Sequence, residues 1–513
     1  MPGRSSSTLG FGAAALLVLT ACQDARSPVA APQPTVHAAY VLLVEGPDGA
    51  TVPFARVIVD SGDDCPELHD PESVGEPIVT TPRHNPHGFE VRVCEAVYPY
   101  GRTLSIAGGM SRLPKVSRQV TRVAVLGDTG CKPTDQGNCP TDDPSEWPLP
   151  AISTAAAAGG VDLVLHMGDY NYRGTSAHFA GTVDGKKVEN QWVYDAGDGA
   201  TVAEKCGLDA PYYSQNSSGS VDPDRWDAWR LDFFEPAADL LAAAPWVFAR
   251  GNHELCSRAG PGWFYFLGPS SNLPAGGGAQ AVCPSQEGQQ PAPAHIWFDE
   301  PYTVRLGDLA ISVVDSANAC DEQPNFVEIY RMQFSRLAEG IDASTRWLMT
   351  HRPLWGAADP ATDAGIDCSG EPSAGPVDSY TVINLTMECA LRGEVGAALL
   401  PQIDLGLAGH MHRFEWLEFA ADSIRPPMLI VGNSGVSLNT DEPNGAFSQP
   451  VDGEPASGFG LDQFGYVEMV LDPGGDWRGE VVAVDPAAWS DFLAACDSTG
   501  AADGFLCVRP LSP

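Results

Sequence analysis

The sequence predicts an α/β or α+β sandwich preceded by a small all-β domain. After about residue 120, apolar runs typical of buried strands alternate with helical stretches. Before that point the apolar runs are short and β-like, without a helical period. Hydrophobic residues make up 43% of the chain, which is enough to form a large core. A length of 513 residues is too great for one compact domain.

The first domain is expected at residues 36–118 as a small β-sandwich. Its β-like runs are residues 40–44, 55–59, 89–94 and 103–106. Pro, Gly and Asp clusters separate these runs, as expected of turns between short strands. One disulfide, Cys65–Cys94, is expected to fasten this domain.

The second domain is expected at residues 119–485, and residues 486–513 are expected to form a disulfide-closed tail. Its predicted buried strands are residues 123–126, 161–165, 246–249, 309–314, 347–350, 403–408, 428–431 and 466–471. Its predicted helices are residues 152–158, 226–244, 326–339 and 385–400. Loops rich in Gly, Pro and Ser are expected at residues 173–224, 256–293 and 356–378, and loops of this size often shape a site.

The charge balance is strongly acidic. The chain has 66 Asp and Glu against 29 Lys and Arg, a net charge of −37. Such an excess repels the phosphate backbone of nucleic acids, so no nucleic-acid partner is expected. The apolar content also excludes a disordered acidic polymer.

The N-terminus predicts export. Residues 9–19 form an apolar run that is too short to span a bilayer and fits a secretory signal. The junction Leu19-Thr20-Ala21-Cys22 resembles the lipobox of bacterial lipoproteins, which implies a signal peptide at residues 1–21, lipidation of Cys22 and a flexible tether at residues 22–35. The alternative is an ordinary signal peptide with Cys22 as an incidental thiol. We therefore expect a lipoprotein of the bacterial cell envelope or surface, or else a periplasmic or secreted protein.

The cysteines predict disulfides. Apart from Cys22 there are twelve, an even number that suits an oxidising compartment. Pairing neighbours along the chain predicts Cys65–Cys94, Cys131–Cys139, Cys256–Cys283, Cys368–Cys389 and Cys496–Cys507, with Cys206–Cys320 remaining. A structural zinc site is the alternative, but the sequence has no CxxC pair to form one.

Polar side chains follow five of the predicted strands. They are Gly127-Asp128-Thr129-Gly130, Gly168-Asp169-Tyr170-Asn171-Tyr172, Gly251-Asn252-His253-Glu254, His351 and Gly409-His410-Met411-His412. The carboxyl ends of strands are where open α/β sheets collect ligands, and carboxylate, amide and imidazole groups suit iron, zinc or manganese. Alone, each motif has a structural alternative: a turn for Asp128, a core position for His351 and a surface turn for His410 and His412. Two further polar residues are interpreted as structural, Asp315 in a turn and His166 in the core.

The five motifs together resemble the calcineurin-like metallophosphoesterases, and more closely the purple acid phosphatases. The family pattern is GDxG, GDxxY, GNH followed by Asp or Glu, a single His, and GHxH, and every element occurs here in that order. This resemblance covers the second domain only. It implies a metallophosphoesterase sandwich of two packed β-sheets flanked by helices.

The resemblance also implies two metal ions. A ferric ion would take the ligands Asp128, Asp169, Tyr172 and His412. A divalent ion (iron, zinc or manganese) would take Asn252, His351 and His410, with Asp169 bridging both ions. His253 would face the substrate as the catalytic group, and Glu254 would be its orienting partner. The alternative for Glu254 is a charge at a helix N-terminus, and Arg352 is a further candidate orienting residue.

The implied function is purple-acid-phosphatase-like hydrolysis of small phosphomonoesters by metal-bound hydroxide. One feature departs from the family, because residues 352–361 lack the further His expected there. Either His253 acts alone, or Arg352, His178 or His295 substitutes. The alternatives are a phosphodiesterase or nucleotide pyrophosphatase on the same scaffold, or a non-catalytic surface binding protein. Membrane contact is expected through the lipid anchor only, and the sequence does not indicate an oligomeric state.

Overall fold

The computed structural model describes most of the chain from residue 34 onwards. The described residues are 34–72, 75–106, 111–131, 141–172, 180–183, 186–189, 224–256, 258–276, 279–283, 298–321, 324, 326–340, 343–357, 368, 384–439, 444–472, 476–496 and 507–511. The predicted signal peptide, Cys22, most of the tether, His178 and His295 lie outside these residues.

Sheet A contains the first three motif-bearing strands. In spatial order its strands are β24 (Cys507–Pro510), β23 (Trp477–Ala483), β22 (Gly465–Leu471), β9 (Arg122–Leu126), β10 (Leu163–His166), β13 (Trp246–Phe248), β1 (Val36–Glu45), β2 (Thr51–Asp60), β6 (Val91–Val97) and β5 (Thr81–Pro82). Strands β9, β10, β13 and β1 run parallel to one another. Their carboxyl ends therefore meet at one edge of the sheet.

Sheet B contains the other two motif-bearing strands. Its order is β14 (Tyr302–Leu306), β15 (Leu309–Val313), β16 (Thr345–Met349), β17 (Leu405–Ala408), β19 (Met428–Val431), β18 (Phe414–Phe419), β21 (Glu454–Leu461) and β20 (Gly445–Val451). Strands β15, β16, β17 and β19 are parallel. All eight strands predicted for the second domain are present in sheets A and B, with ends that differ by a few residues.

The described N-terminal region is all β, as predicted, but half of its eight strands (β1, β2, β5 and β6) belong to sheet A rather than to a separate sandwich. Strand β1 pairs in parallel with β13, with Leu42 opposite Trp246, and antiparallel with β2. The remaining strands of the region form a small sheet of β4 (Ile78–Val79), β3 (Glu67–His69), β7 (Leu104–Ile106) and β8 (Arg112–Leu113). One further hairpin joins β11 (Ala180–Val183) to β12 (Lys186–Glu189).

The helices are short. In the described residues they are α1 (Leu149–Gly159), α2 (Trp226–Trp229), α3 (Ala238–Ala243), α4 (Gly260–Gly262), α5 (Val327–Ala338), α6 (Leu385–Leu391) and α7 (Glu394–Leu399). The predicted helix at 226–244 is interrupted by a π-helical turn and by Pro236, which cannot continue a helical hydrogen-bond ladder. The predicted helix at 385–400 divides at Gly393, whose φ of 81° is left-handed.

Two hydrophobic clusters define the layers. One lies between the sheets and combines sheet A residues such as Val125 and Leu165 with sheet B residues such as Trp347 and Leu407. The other joins the outer faces of the sheets to the helices and includes Ile152 of α1. The fold is therefore the predicted sandwich of two packed sheets flanked by helices. None of the described helices has the length and apolar character needed to cross a membrane.

Four of the predicted disulfides are confirmed. They are Cys65–Cys94, Cys256–Cys283, Cys368–Cys389 and Cys496–Cys507. Cys131 and Cys320 are also disulfide-bonded, and their predicted partners Cys139 and Cys206 lie outside the described residues. Four disulfides are typical of a protein that folds in an oxidising compartment.

Candidate metal centre

The five motifs occupy loops at the carboxyl ends of parallel strands in both sheets. Strands β9, β10 and β13 of sheet A lead to Asp128, Asp169 and Asn252. Strands β16 and β17 of sheet B lead to His351 and His410. The two sheets pack face to face, so their loops meet above the shared core.

Several of the candidate ligands have left-handed backbone conformations. The φ angles are 55° at Asp128, 60° at Asp169, 73° at His410 and 50° at His412. Such angles are uncommon for residues other than glycine and cluster at functional sites. They turn each side chain sharply away from its strand and towards the shared space between the loops.

Hydrogen bonds between loops fix these turns. The backbone N–H of His410 donates to Asp128 Oδ2 at 2.8 Å, so a loop of sheet B is bonded to a loop of sheet A. The carboxylates also need open backbone beside them. A Cβ at Gly409 would lie 2.3 Å from Asp128 Oδ2, and one at Gly251 would lie 2.1 Å from Asp169 Oδ1. Glycine at these two positions therefore permits the close approach.

One group of candidate ligands surrounds the Tyr172 hydroxyl. This oxygen lies 2.9 Å from Asp128 Oδ1, 3.0 Å from Asp169 Oδ2 and 3.0 Å from His412 Nε2. His412 Nε2 is also 3.6 Å from Asp128 Oδ1. The other three residues of the predicted ferric set thus all lie in contact with the Tyr172 hydroxyl.

A second group surrounds His351. Its Nε2 lies 2.9 Å from Asn252 Oδ1 and 3.4 Å from Asp169 Oδ2. Its Nδ1 donates to the carbonyl oxygen of Met167 at 2.8 Å, which leaves Nε2 as the nitrogen directed towards Asn252 and Asp169. The His410 and His351 rings pack edge to face, with their centroids 5.1 Å apart. The residues of the predicted divalent set therefore lie together as well.

The two groups share Asp169. The ligand atoms of Asp128, Asp169 and His412 lie within 4.8 Å of one another, and so do those of Asp169, His351 and His410. This is the arrangement in which one carboxylate can bridge two ions. Carboxylate, imidazole, amide and phenol groups are also the donors that iron, zinc and manganese accept, so the residues fit a dinuclear centre.

The electrostatics of the centre favour a cation. Although burial opposes it, the charge of His351 and the backbone N–H of His253 hold the pKa of Asp169 well below its usual value. Burial lowers the pKa of His351, but the charge of Asp169 outweighs this effect and raises the pKa to about 9. Burial, and then the charges of Asp128 and Asp169, raise the pKa of Tyr172 well above 10. Burial raises the pKa of Asp128 to about 8, so Asp169 is the carboxylate that stabilises positive charge beside it.

His253 lies at the centre but outside both groups of shared ligand atoms. Its Nε2 is 4.0 Å from Asp169 Oδ2, and its ring packs 4.0 Å from that of Tyr172. Burial lowers the pKa of His253 well below its usual value. The imidazole is therefore neutral near pH 7 and can offer one N–H to a substrate.

Glu254 joins two of the motif loops. Its Oε2 accepts hydrogen bonds from the backbone N–H groups of Asp169 at 3.0 Å and Gly251 at 3.1 Å. Its Oε1 accepts from Tyr170 at 2.9 Å and Asn171 at 3.2 Å. The side chain is fully buried. These contacts hold the backbone of the two loops together.

Comparison with known families gives a direct match. A family model described as calcineurin-like phosphoesterase matches residues 121–414, which is more than half of the chain. The chain belongs to the calcineurin-like phosphoesterases. This membership makes it a metal-dependent phosphoesterase, with a phosphate ester as the substrate class.

Two solved structures are similar to this phosphoesterase. The purple acid phosphatase PPD1 from yellow lupin (Lupinus luteus) seeds has a TM-score of 0.46 and 16% identity, over 87% of this chain and 72% of the lupin chain. PhoD has a TM-score of 0.45 and 12% identity, over 94% of this chain and 96% of its own. Comparison with curated protein sequences found no match.

The phosphoesterase site contains one further polar residue that the sequence did not predict. Asp321 Oδ2 lies 3.0 Å from His410 Nε2 and also accepts a hydrogen bond from Arg352 Nη1. Asp321 follows strand β15 by eight residues and belongs to none of the five motifs. Its only sequence signal is a carboxylate on the loop after a strand whose neighbour carries His351.

The two residues interpreted as structural behave accordingly. Asp315 Oδ1 accepts the backbone N–H of Ala317 at 3.1 Å within a turn. The buried His166 stacks on Tyr170 at 4.0 Å and bonds Thr129 Oγ1 through Nε2 at 2.8 Å. His166 therefore packs beneath the phosphoesterase site.

Proposed function

We propose that the chain hydrolyses small phosphate monoesters at a dinuclear metal centre, in the manner of purple acid phosphatases. The observation that carries this proposal is the pair of ligand groups that share Asp169. Two ions held by these residues would supply a bound water of lowered pKa and positive charge for in-line displacement at phosphorus. The chain's own residues hold and orient the reacting groups.

We infer that Asp128, Asp169, Tyr172 and His412 hold a ferric ion. The support is the Tyr172 hydroxyl, which is within 3.0 Å of the other three residues. A phenolate oxygen is a hard donor and suits a hard trivalent ion. Asn252, His351 and His410 would hold a divalent ion of iron, zinc or manganese.

His253 is proposed to contact the transferred phosphoryl group. Its ring adjoins Tyr172 and Asp169, and its backbone N–H donates to Asp169 Oδ1 at 2.8 Å. That bond fixes the start of the side chain relative to the bridging carboxylate. A neutral imidazole held there can donate an N–H to a phosphoryl oxygen as negative charge develops.

The phosphodiesterase alternative has one specific observation in its favour. The described part of the segment after His351, residues 352–357, contains no second His. Arg352, which could substitute, is engaged with Asp321. Residues 352–357 therefore do not offer a free general acid that could protonate a strongly basic leaving alkoxide. A diester with a good leaving group depends less on such an acid.

One assay separates these functions. The purified protein should release p-nitrophenol faster from p-nitrophenyl phosphate than from bis(p-nitrophenyl) phosphate, and metal analysis should find two ions per chain. Prolonged chelation should abolish both the ions and the activity. A faster diester reaction would make the chain a phosphodiesterase, whereas a protein with two ions and neither activity would contradict the enzyme proposal.

We also propose that the protein is exported and anchored through lipidated Cys22. The disulfides support an oxidising compartment, and the Leu19-Thr20-Ala21-Cys22 junction supports a lipobox. Cys22→Ser should release the protein from the membrane fraction or stall its processing. Unchanged membrane fractionation of this variant would contradict the anchor.

A further inference from the structure

Asp321 makes three polar contacts at the edge of the metal centre. Its Oδ2 lies 3.0 Å from His410 Nε2 and accepts from Arg352 Nη1. Its Oδ1 accepts from Asn384 Nδ2 at 2.7 Å. Guanidinium and amide N–H groups can only donate, so the carboxylate acts as the acceptor for each of them.

Asp321 is held firmly in this position. Asn384 also donates to the carbonyl oxygen of Ala319 at 3.0 Å and caps helix α6 by accepting the N–H of Met387 at 2.8 Å. The N–H of Leu385 donates to the carbonyl oxygen of Asp321 at 3.1 Å. Both the backbone and the side chain of Asp321 are therefore attached to the start of α6.

His410 Nε2 has two competing neighbours. Asp321 Oδ2 can only accept its hydrogen, whereas Arg352 Nη1, at 3.2 Å, can only donate one to it. A neutral imidazole carries its hydrogen on one nitrogen and its free electron pair on the other. If His410 Nε2 donates to Asp321, the free electron pair lies on Nδ1. If Nε2 instead accepts from Arg352, the hydrogen lies on Nδ1.

We propose that Asp321 is a positioning residue that fixes the Nε2–H form of His410 and so reserves Nδ1 for a metal ion. Carboxylates that accept from the second nitrogen of a ligating histidine orient the ring and increase its basicity. Without Asp321, Arg352 becomes the main polar neighbour of Nε2 and favours the form that cannot bind an ion. This inference rests on the metal centre of the proposed function.

The test is Zn²⁺ binding by the metal-free full chain, measured by equilibrium dialysis. Wild type should bind two ions, and Asp321→Ala should bind one of them roughly 10–100-fold more weakly while the other stays unchanged. Adding Arg352→Met removes the competing donor, so the double variant should recover part of the lost affinity. A merely structural role for Asp321 predicts no such recovery.

Asp70→Ala is the matched control. Asp70 also pairs with an arginine, Arg102, but it follows strand β3 of the small sheet. This variant should bind both ions as wild type does. Asp321→Asn keeps the shape of the side chain without its charge, and it should give an intermediate loss at the same single site.

The outcomes distinguish this inference from the function beneath it. Three results would overturn the role of Asp321 and leave the phosphoesterase proposal standing. They are wild-type Zn²⁺ affinity in Asp321→Ala, an equal loss of affinity for both ions, and weaker binding in the double variant than in Asp321→Ala. A wild-type protein that binds no Zn²⁺ would contradict the proposed centre itself, and the positioning role with it.

Discussion

Replacing Glu254 by Ala is the perturbation for which the structure gives the clearest magnitude. The two carboxylate oxygens accept four backbone N–H groups, from Asp169, Tyr170, Asn171 and Gly251. The side chain is fully buried, so bulk water does not reach these donors in the wild type. The substitution removes the acceptor of all four at once.

The expected loss of stability follows from these contacts. A buried donor left without a partner costs about 1–3 kcal/mol, which sets an upper range of about 4–12 kcal/mol for four donors. Water entering the vacated space would satisfy part of them. We therefore expect Glu254→Ala to lower the free energy of unfolding by about 4 kcal/mol. The metals should also be held more weakly, because Asp169 and Asn252 stand on the released loops.

The assay is urea unfolding of the metal-free protein, followed by metal analysis of the protein as purified. Glu254→Gln keeps one accepting oxygen and should lose less stability than the alanine variant. Glu45→Ala is the control, because among the described residues Glu45 accepts one backbone N–H, that of Thr303, and it contacts Arg305 outside the motifs. A Glu254→Ala protein within about 1 kcal/mol of wild type in free energy of unfolding, with both ions bound, would contradict the role of these four hydrogen bonds.

Three further substitutions test separate parts of the molecule. His253→Ala should lower kcat by roughly 10²–10⁴ while metal analysis still finds both ions, and loss of an ion would make His253 a ligand instead. Protein purified without chelators should show a broad visible band that disappears in Tyr172→Phe; a colourless, active protein containing only zinc or manganese would contradict the ferric assignment. Glu95→Gln should destabilise the fold by about 3–5 kcal/mol in urea unfolding, because it leaves the buried Arg83 and Arg56 without their carboxylate. Although burial opposes it, Arg83 and Arg56 hold the pKa of Glu95 below its ordinary 4.5. The difference in free energy of unfolding between wild type and Glu95→Gln should therefore be full above pH 4.5 and decline as the pH falls further. An equal advantage at pH 7 and pH 2 would contradict this linkage.

The sequence predicted the loops that form the candidate metal centre, because each motif carries its own local signal. An apolar run identifies the strand, and a Gly followed by a polar residue identifies its carboxyl end. The parallel order of the strands then brings distant residues together, as with Tyr172 and His412, whose polar atoms lie 3.0 Å apart despite a separation of 240 residues. Residue type and position relative to a strand were sufficient here.

The features that the sequence did not predict depend on pairing at long range. A β-like run at residues 40–44 indicates a strand but not its neighbour, so the parallel pairing of Leu42 with Trp246 was not foreseen. Asp321 was missed for the same reason. Its significance comes from Arg352 and His410, and no spacing within its own segment indicates either contact.

The strained residues of the candidate centre are divided between loops of both sheets. Left-handed φ angles at Asp128, Asp169, His410 and His412 cost of order 1–3 kcal/mol each. Two of these residues belong to loops of sheet A and two to a loop of sheet B, and the bond from the His410 N–H to Asp128 Oδ2 spans the sheets. Ions shared by the two sets of loops would offset this strain only while the sheets stay packed. Metal binding and sheet packing should therefore stabilise one another, since neither loop set alone presents a complete group of ligands.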